Sequence, residues 1–217
     1  MTKKVEIGKK ILMANEEYAA LNAKFFADNK KLCLNMISSP GSGKTTILVK
    51  TITDLQGKLR IGVIEGDVRT DLDAQRIRAT KAPAVQIETE GACHLSAAQV
   101  STALHNLPTD DLNIIIIENV GNLVCPSAFE LGETAKIAVL STPEGDDKPV
   151  KYPAIFAKST AVIINKIDLL GAVDFDIDRA KADILKLNKD AEIFPISAKT
   201  GQGMANWYNW LSESSKV

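Results

Sequence analysis

Seven short runs of apolar residues recur along the chain, and helix-type patterns fill the intervals between them. The runs are LCLNMIS (32–38), RIGVIE (60–65), AVQIE (84–88), NIIIIE (113–118), KIAVLS (136–141), AVIIN (161–165) and EIFPIS (192–197). Several are apolar almost throughout, as strands buried on both faces must be. Apolar residues at helical spacing predict helices near 4–27, 45–56, 71–80, 94–105, 176–188 and 204–213. This alternation predicts an α/β fold, a mostly parallel sheet of about seven strands flanked by helices and preceded by an extra N-terminal helix.

Length and charge narrow the class of protein further. A chain of 217 residues suits one domain, with the N-terminal helix in 1–30 and the core in 31–217. A net charge of −1 argues against a broad basic face for nucleic acid. The longest strongly apolar run is too short to span a bilayer, and the N-terminus lacks the apolar core of a signal peptide. We therefore expect a cytoplasmic protein with no nucleic-acid or membrane partner, and a surface loop over 142–153.

The first apolar run leads into SSPGSGKTT, residues 38–46, which has the spacing of a phosphate-binding loop. Glycines let the backbone approach phosphates, and the N–H groups that open the next helix bind the anion. Lys44 is expected to reach the β- and γ-phosphates, and the Thr45 hydroxyl to hold Mg²⁺. Ser38 replaces the usual first glycine of the motif. The predicted phosphate-binding residues are Gly41, Ser42, Gly43, Lys44, Thr45 and Thr46.

Asp168 closes the tetrapeptide NKID, which has the N-K-x-D pattern of guanine recognition in GTP-binding proteins. Its carboxylate can accept bonds from guanine N1–H and N2–H₂, a donor pair that adenine lacks; each such bond contributes about 1.5–3 kcal/mol. The stem of Lys166 can cover the base, and Asn165 is expected to tie the motif to the phosphate loop. A later S-A-K is expected to close over guanine. The predicted ligand is GTP or GDP, held at its base by Asn165, Lys166, Asp168, Ser197, Ala198 and Lys199.

Two carboxylates follow predicted strands. Glu118 ends the run NIIIIE and opens E-x-x-G, where many small GTPases have D-x-x-G. We expect it to hold Mg²⁺, and the N–H of Gly121 to contact the γ-phosphate and so sense hydrolysis. Asp67, just past another strand, is predicted to support Mg²⁺ or to orient the attacking water, with capping of a turn as the alternative. Asp73, on the following helix, is expected at the surface.

These residues predict an enzyme that hydrolyses GTP to GDP and phosphate. No glutamine or arginine that would accelerate the reaction can be assigned from the sequence. We therefore expect slow intrinsic hydrolysis, as in a switch that awaits a trigger. The predicted catalytic residues are Lys44, Asp67, Glu118 and Gly121, and the predicted Mg²⁺ ligands are Thr45, Asp67 and Glu118.

Cys93 and His94 stand side by side in a chain with three cysteines and two histidines. We expect Cys93 near a helix N-terminus, where the helix dipole lowers the pKa of a thiol. Cys125 lies on the segment that follows Gly121. Thiolate and imidazole suit Zn²⁺ or Ni²⁺, but three ligands are few for a closed four-ligand site. A second chain would supply enough ligands and so indicates a dimer, whereas packing is the alternative role for each cysteine, above all for the strand residue Cys33.

The chain holds five motifs: S-x-P-G-S-G-K-T, E-G-D, G-x-C-H-L, E-N-V-G-N-L-V-C-P and N-K-I-D. Together they resemble the HypB family, the GTPases that assist nickel insertion into nickel–iron hydrogenase. The resemblance implies a SIMIBI-type P-loop GTPase whose Cys93, His94 and Cys125 bind nickel or zinc at a dimer interface that depends on GTP and metal. It also implies a HypA-like maturation partner and the hydrogenase large-subunit precursor. Residues 1–32 hold no Cys or His, so nickel storage by an N-terminal cysteine motif or a histidine-rich tail is not expected.

Other functions are compatible with parts of this pattern. A GTPase of the same class could serve urease or a cobalamin enzyme. A P-loop kinase would transfer phosphate from ATP, which Asp168 disfavours. A zinc-binding scaffold with a vestigial nucleotide site would not need Lys44, Thr45 and two candidate Mg²⁺ carboxylates.

Overall fold

The computed structural model describes residues 7–67, 72–89 and 91–216, and within these ranges seven strands form one sheet. Every neighbouring pair of strands is parallel, in the order β3-β2-β4-β1-β5-β6-β7. The predicted parallel sheet is therefore confirmed. The strands are β1 (Leu32–Ser38), β2 (Ile61–Asp67), β3 (Ala84–Glu88), β4 (Ile114–Glu118), β5 (Ala135–Ser141), β6 (Ala161–Asn165) and β7 (Glu192–Pro195).

Helices cover the sheet on both sides, and all six predicted helices are present in the described ranges. Predicted positions 4–6 and 71 lie outside those ranges. The helices are α1 (Ile7–Asp28), α2 (Lys44–Asp54), α3 (Leu72–Arg78), α4 (Ala97–Asn106), α5 (Lys148–Lys151), α6 (Pro153–Lys158), α7 (Ile177–Leu187) and α8 (Met204–Ser214).

The stretch 142–153 differs from the loop that the sequence suggested. It holds a 3₁₀ turn, α5 and the start of α6. Pro149 and Pro153 lie in the first turns of the two helices, where the missing N–H of proline costs nothing. Ile155 and Phe156 of α6 are fully buried against the sheet. Charge and proline content suggested a loop, but these apolar side chains fix a helix.

The core consists of two layers, one on each face of the sheet. Successive residues of β1 alternate between them, so Leu34 packs with α2 and α8 while Cys33 packs with α1 and α4. Full burial of Cys33 confirms its expected place in the core. On the first face, the Trp207 indole N–H donates to the Thr51 hydroxyl over 3.1 Å and so joins α8 to α2. Burying a large apolar side chain contributes about 1.5–3 kcal/mol, so both layers stabilise the sheet strongly.

All the strands point the same way, so their carboxyl ends meet at one edge of the sheet. Ser38, Asp67, Glu118 and Asn165 are the last residues of β1, β2, β4 and β6. Ligands of open α/β sheets bind in the crevice outside this edge. In the described part of the chain, no helix is both long enough and apolar enough to cross a membrane.

Candidate functional site

The phosphate loop joins β1 to α2 and presents its backbone to a cavity of about 530 Å³. Gly41 and Gly43 have φ of 77° and 94°, a left-handed conformation that glycine adopts without strain. Gly43 is also the residue before the first turn of α2. A Cβ on it would lie 2.6 Å from Asn165 Nδ2. The loop therefore directs the free N–H groups of a helix N-terminus toward a bound anion.

Ser38 explains how the loop tolerates the loss of its usual first glycine. It is the last residue of β1 and fully buried, so the backbone there is ordinary strand. Its hydroxyl accepts a hydrogen bond of 3.0 Å from the ammonium of Lys44. Lys44 is 9% exposed and lines the cavity. The serine thus holds the ammonium beside the space for phosphates.

The side chains of two other loop residues, Ser42 and Thr46, make contacts within the protein. The Ser42 hydroxyl lies 2.9 Å from Ser39 O and 2.6 Å from Glu144 Oε1, two acceptors for its single proton, so the side chain is occupied inside the protein. The Thr46 hydroxyl accepts from the Arg76 guanidinium at 3.1 Å. Arg76 lies on α3 and lines the same cavity, which places a cation beside the loop.

The residues predicted to read the base meet beside the phosphate loop. Asn165 donates to Ser42 O at 2.9 Å and accepts from Ala198 N at 3.2 Å, so it joins the phosphate loop to the S-A-K turn. Lys166 adopts a left-handed φ of 63°, and its ammonium donates to Gly41 O at 2.6 Å.

The S-A-K turn also positions the carboxylate that is predicted to bind guanine. The Ser197 hydroxyl donates to Asp168 Oδ1 at 2.6 Å and accepts from Thr200 N at 3.1 Å. Lys199 is exposed beside this turn. The carboxylate is therefore held in one orientation, and Oδ2 together with the second lone pair of Oδ1 can still accept from a base.

Carboxylates from two strands and one helix converge next to Thr45. Glu65 and Glu118 are direct neighbours in the register of β2 and β4, and each is 3% exposed. One oxygen from each of these, together with one from Asp73, forms a group within 4.8 Å. The Thr45 hydroxyl donates to Glu118 Oε1 at 2.8 Å. Asp73 keeps 41% of its side chain exposed and pairs with Arg76 at 3.0 Å, as suits the predicted surface residue. Helix α3 also brings its carboxylate to the edge of the nucleotide cavity.

The electrostatics of this group fit a bound divalent cation. Burial, reinforced by the Glu118 carboxylate, raises the pKa of Glu65 to about 11. Burial also raises the pKa of Glu118. Glu65 Oε2 and Glu118 Oε2 find no hydrogen-bond partner among the described residues. A hard cation with oxygen ligands, such as Mg²⁺, would satisfy both oxygens and offset the repulsion between the carboxylates.

Asp67 and Gly121 line the same cavity. Asp67 is the last residue of β2, and the group of mutually close carboxylates found among the described residues does not include it. Gly121 approaches the phosphate loop so closely that a Cβ would lie 2.9 Å from Pro40 N. The segment after β4 therefore lies directly against the phosphate loop.

Cys93, His94 and Cys125 come together at a second site nearby. One ligand atom from each lies within 4.8 Å of the others, and Cys93 Sγ is 3.5 Å from His94 Nδ1. The His94 ring stacks on Phe129 with centroids 3.9 Å apart. Burial lowers the pKa of His94, which favours the neutral imidazole that a metal requires. Two thiols and an imidazole suit Ni²⁺ or Zn²⁺.

The helix-dipole argument for Cys93 was wrong. Helix α4 begins only at Ala97, after a capping box formed by Ser96 and Gln99. Cys93 lies in the preceding loop, and hydrogen bonding with Cys125 raises the pKa of its thiol. A thiolate at this position would therefore have to be stabilised by a metal rather than by the helix.

Sequence reasoning missed Glu65, Asp73, Arg76 and Phe129. Glu65 ends the run RIGVIE and opens the E-G-D motif, but only the register with Glu118 shows that it belongs to a carboxylate pair. Phe129 carries no motif of its own. The capping signature S-x-x-Q at 96–99 was readable from the sequence and would have placed the start of α4 correctly.

Comparison with known proteins agrees with this geometry. A sequence profile of the CobW/HypB/UreG nucleotide-binding domain matches residues 33–195. The hydrogenase maturation factor HypB of Escherichia coli strain K12 is 48% identical over 95% of this chain and 71% of that protein. The hydrogenase/urease maturation factor HypB of Helicobacter pylori is 40% identical over 99% of this chain and 89% of that protein.

A solved structure shares the whole architecture. The crystal structure of HypB from Helicobacter pylori in complex with nickel has a TM-score of 0.89 at 40% identity, and the match covers 94% of this chain and 95% of that one. Fold and phosphate loop together define a P-loop nucleotide-binding protein of the NTPase class. The chain belongs to the HypB family of CobW/HypB/UreG nucleotide-binding proteins.

Proposed function

We propose that this chain is a GTP-hydrolysing metallochaperone that couples its nucleotide state to nickel or zinc binding and to dimerisation. It assists nickel insertion into nickel–iron hydrogenase. The main support is the path of residues 118–125. At one end, Glu118 accepts a hydrogen bond from Thr45 of the phosphate loop. At the other end, Cys125 belongs to the thiol–imidazole cluster. A rearrangement of this segment at the γ-phosphate would therefore move a metal ligand.

Guanine is selected by Asp168. One carboxylate oxygen is fixed by the Ser197 hydroxyl at 2.6 Å, which pre-orients the group for the N1–H and N2–H₂ donors of guanine. Asn165 holds the base-binding turn and the phosphate loop together through its two hydrogen bonds. Adenine offers no matching donor pair, so binding ATP would leave the carboxylate unpaired, which is costly.

The phosphates lie on the loop from Gly41 to Thr46. The Lys44 ammonium exchanges its bond with Ser38 for the β- and γ-phosphate oxygens. Mg²⁺, held by Thr45, Glu118 and Asp67, would neutralise the charge that develops on the γ-phosphate. The buried oxygens of Glu65 and Glu118 support the addition of Glu65 and Asp73 to this set.

Hydrolysis requires a positioned water and a sensor of the γ-phosphate. Asp67 lines the cavity at the end of β2, where its carboxylate can orient the attacking water. The N–H of Gly121 contacts the γ-phosphate, and loss of that phosphate releases the segment that leads to Cys125. Arg76 lines the cavity beside Thr46 and can stabilise negative charge on the phosphates.

Cys93, His94 and Cys125 bind the metal cargo. Three ligands from one chain leave a four-coordinate site open, and a second copy of the chain supplies the rest. Cys93 is exposed and the other two are partly exposed, so the cluster is accessible to such a partner. Metal binding and GTP-linked dimerisation thereby stabilise each other.

The names of the relatives support a proposal for the acceptor of the metal. Both are hydrogenase maturation factors, and the relative from Helicobacter pylori also carries urease in its name. The hydrogenase large-subunit precursor is therefore the proposed acceptor, a HypA-like protein the proposed partner, and urease a second candidate acceptor.

Two assays test the proposal. Purified protein should hydrolyse GTP slowly and ATP negligibly; phosphate transfer from ATP to a small acceptor would instead indicate a kinase. Alanine at both Cys93 and His94 should abolish tight Ni²⁺ and Zn²⁺ binding while GTP affinity stays within about twofold. His105→Ala is the matched control, since that exposed histidine at the end of α4 lies outside the cluster. Unchanged metal binding in the double variant would exclude the site.

A further inference from the structure

We propose that a chain of polar contacts, buried from Asn119 to Lys136 and exposed at Glu130 and Lys158, connects the nucleotide-sensing segment to both loops that carry the metal ligands. This polar relay consists of Asn119, Asn35, Glu133, Lys136, Glu130 and Lys158. The inference rests on the proposed function, because it supplies the path by which nucleotide state changes metal affinity. The six are positioning residues, since they act through the loops that they hold.

The first end of the relay is Asn119, which follows Glu118 and is 2% exposed. Its amide oxygen accepts from Val120 N at 2.9 Å and from Leu95 N at 3.4 Å. Leu95 directly follows His94 in the chain. One side chain therefore bridges the segment that senses the γ-phosphate and the loop that carries two metal ligands.

The middle of the relay crosses the central strand. Asn119 Nδ2 donates to Asn35 Oδ1 at 3.1 Å, and Asn35 Nδ2 donates to Glu133 Oε1 at 2.9 Å. Asn35 is fully buried in β1, four positions before the phosphate loop begins at Ser39. The amide thus links the segment that follows β4 to the segment that precedes β5, across the strand under the phosphate loop.

The second end of the relay leads to the turn that carries the other metal ligand, Cys125. The Glu133 carboxylate pairs with the Lys136 ammonium at 2.7 Å, and Lys136 also pairs with Glu130. Glu130 lies 3.8 Å from the Lys158 ammonium.

Lys158 joins the relay to the backbone of the turn that carries Cys125. Its ammonium donates to Ser127 O at 2.9 Å. Ser127 closes the 3₁₀ turn that begins at Cys125, so the relay holds this turn from its carbonyl side.

A merely stabilising role does not account for this arrangement. The side chains of Lys136 and Glu133 are only 5% and 2% exposed. Buried ion pairs contribute little net stability compared with apolar packing of the same volume. Connected polar networks instead fix one arrangement of the groups that they join. This relay ends at the backbone N–H of Leu95, next to His94, and at the carbonyl of Ser127, in the same turn as Cys125, which is the geometry that coupling requires.

The test compares the Ni²⁺ dissociation constant in the GDP state with that in a state loaded with a non-hydrolysable GTP analogue. Full-length protein is used for the parent and two variants. Asn35→Ala breaks the middle of the relay, and Lys158→Met breaks its surface end without burying a new cavity. Asn188→Ala is the matched control for the first, because Asn188 also donates to and accepts from backbone elsewhere. Lys186→Met is the control for the second, since it removes an exposed ion pair.

The expected result is that each relay variant reduces the ratio of the two dissociation constants by about 2- to 30-fold. GTP affinity and both controls should stay within about twofold of the parent. The relay would be overturned, and the proposed function left intact, if both relay variants kept the parent's ratio of Ni²⁺ dissociation constants. The same holds if they weakened Ni²⁺ binding equally in both nucleotide states. A parent protein without nucleotide dependence would overturn both. Should Asn35→Ala not fold, Lys158→Met decides alone.

Discussion

Glu65 and Glu118 face each other across adjacent parallel strands, and this pairing sets the charge balance of the nucleotide site. Both are buried, and the pKa of Glu65 is raised to about 11, first by burial and then by the Glu118 carboxylate. A carboxyl that keeps its proton at neutral pH destabilises the fold unless a cation replaces that proton. The burial of Glu65 is therefore explained better by a role as a cation ligand than by a role in the core.

Replacement of Glu65 by glutamine should change how stability depends on pH. The ordinary pKa is 4.5 and the folded value is about 11. The folded protein therefore holds a proton that the unfolded chain releases, and the parent loses stability as pH rises above about 4.5. Glutamine does not titrate, so the Tm of Glu65→Gln relative to the parent should increase between about pH 5 and about pH 8.

Thermal unfolding without Mg²⁺ or nucleotide measures this difference. Glu213→Gln is the control, because Glu213 is exposed near the end of α8. Parallel profiles of Tm against pH for the parent and Glu65→Gln would show that the pKa of Glu65 is not raised.

Asparagine at position 168 should change the base preference. Asn presents one acceptor and one donor, so its amide N–H₂ would face the N2–H₂ of guanine. We expect GTP affinity to fall by about 10- to 100-fold, and binding of xanthosine triphosphate, which has an oxygen at C2, to improve. Calorimetry with both nucleotides measures this change in base preference. Unaltered GTP affinity in Asp168→Asn would remove this residue from the base site.

At this scale the sequence identified residues that stand in a motif and missed those that depend on the sheet order. The motif residue Lys44 lines the nucleotide cavity, and Asp168 is bonded to the S-A-K turn. Glu65 escaped because β2 and β4 are neighbours in space but not in sequence. Asp73 escaped because nothing in its helix shows that α3 folds back over the strand ends.

Among the elements, the junction of phosphate loop and α2 has the tightest steric requirement. Gly43 combines a φ of 94° with a close approach to Asn165 Nδ2. Gly43→Ala should therefore weaken GTP binding by at least about tenfold, because the added methyl group displaces Asn165 and strains the loop. Gly171→Ala is the matched control, since a Cβ there meets nothing within 4 Å. Equal GTP affinities for the two variants, measured by calorimetry, would refute this account of the loop.

Helix α8 supports α2 from below through Trp207, which is fully buried and stacks on Trp210 with centroids 5.4 Å apart. Trp207→Ala should lower the free energy of unfolding by about 3–5 kcal/mol because of the cavity that it leaves. Trp207→Phe keeps most of the volume but loses the bond to Thr51, so it should lower that energy less. Urea unfolding followed by circular dichroism distinguishes the variants. Similar midpoints for Trp207→Ala and the parent would contradict this packing.

The elements were predicted well where hydrophobicity alone determines them. All seven strands coincide with apolar runs. The five inner strands are buried on both faces, which leaves a nearly continuous apolar pattern. The start of α4 and the helices α5 and α6 were predicted poorly. Their limits depend on a capping box and on prolines at helix starts, which are local signals that the surrounding charge obscured.

At the scale of the whole molecule, the strand order connects the two sites. Strand β4 lies between β2 and β1, so the segment that leaves it runs from the carboxylate pair, past the phosphate loop, to Cys125. The motifs in the sequence indicated each site, but the distance between the sites follows only from the packed structure. Coupling between nucleotide and metal is therefore a property of the fold as a whole.

The most direct test of this coupling is a calorimetric titration of Ni²⁺ into protein loaded with GDP and into protein loaded with a non-hydrolysable GTP analogue. We predict dissociation constants that differ by about 5- to 150-fold, the usual range of coupling between linked sites. In the analogue state one ion should bind per pair of chains, because the three ligands of one chain cannot complete a four-coordinate site alone. Identical affinity and stoichiometry in the two states would contradict the account.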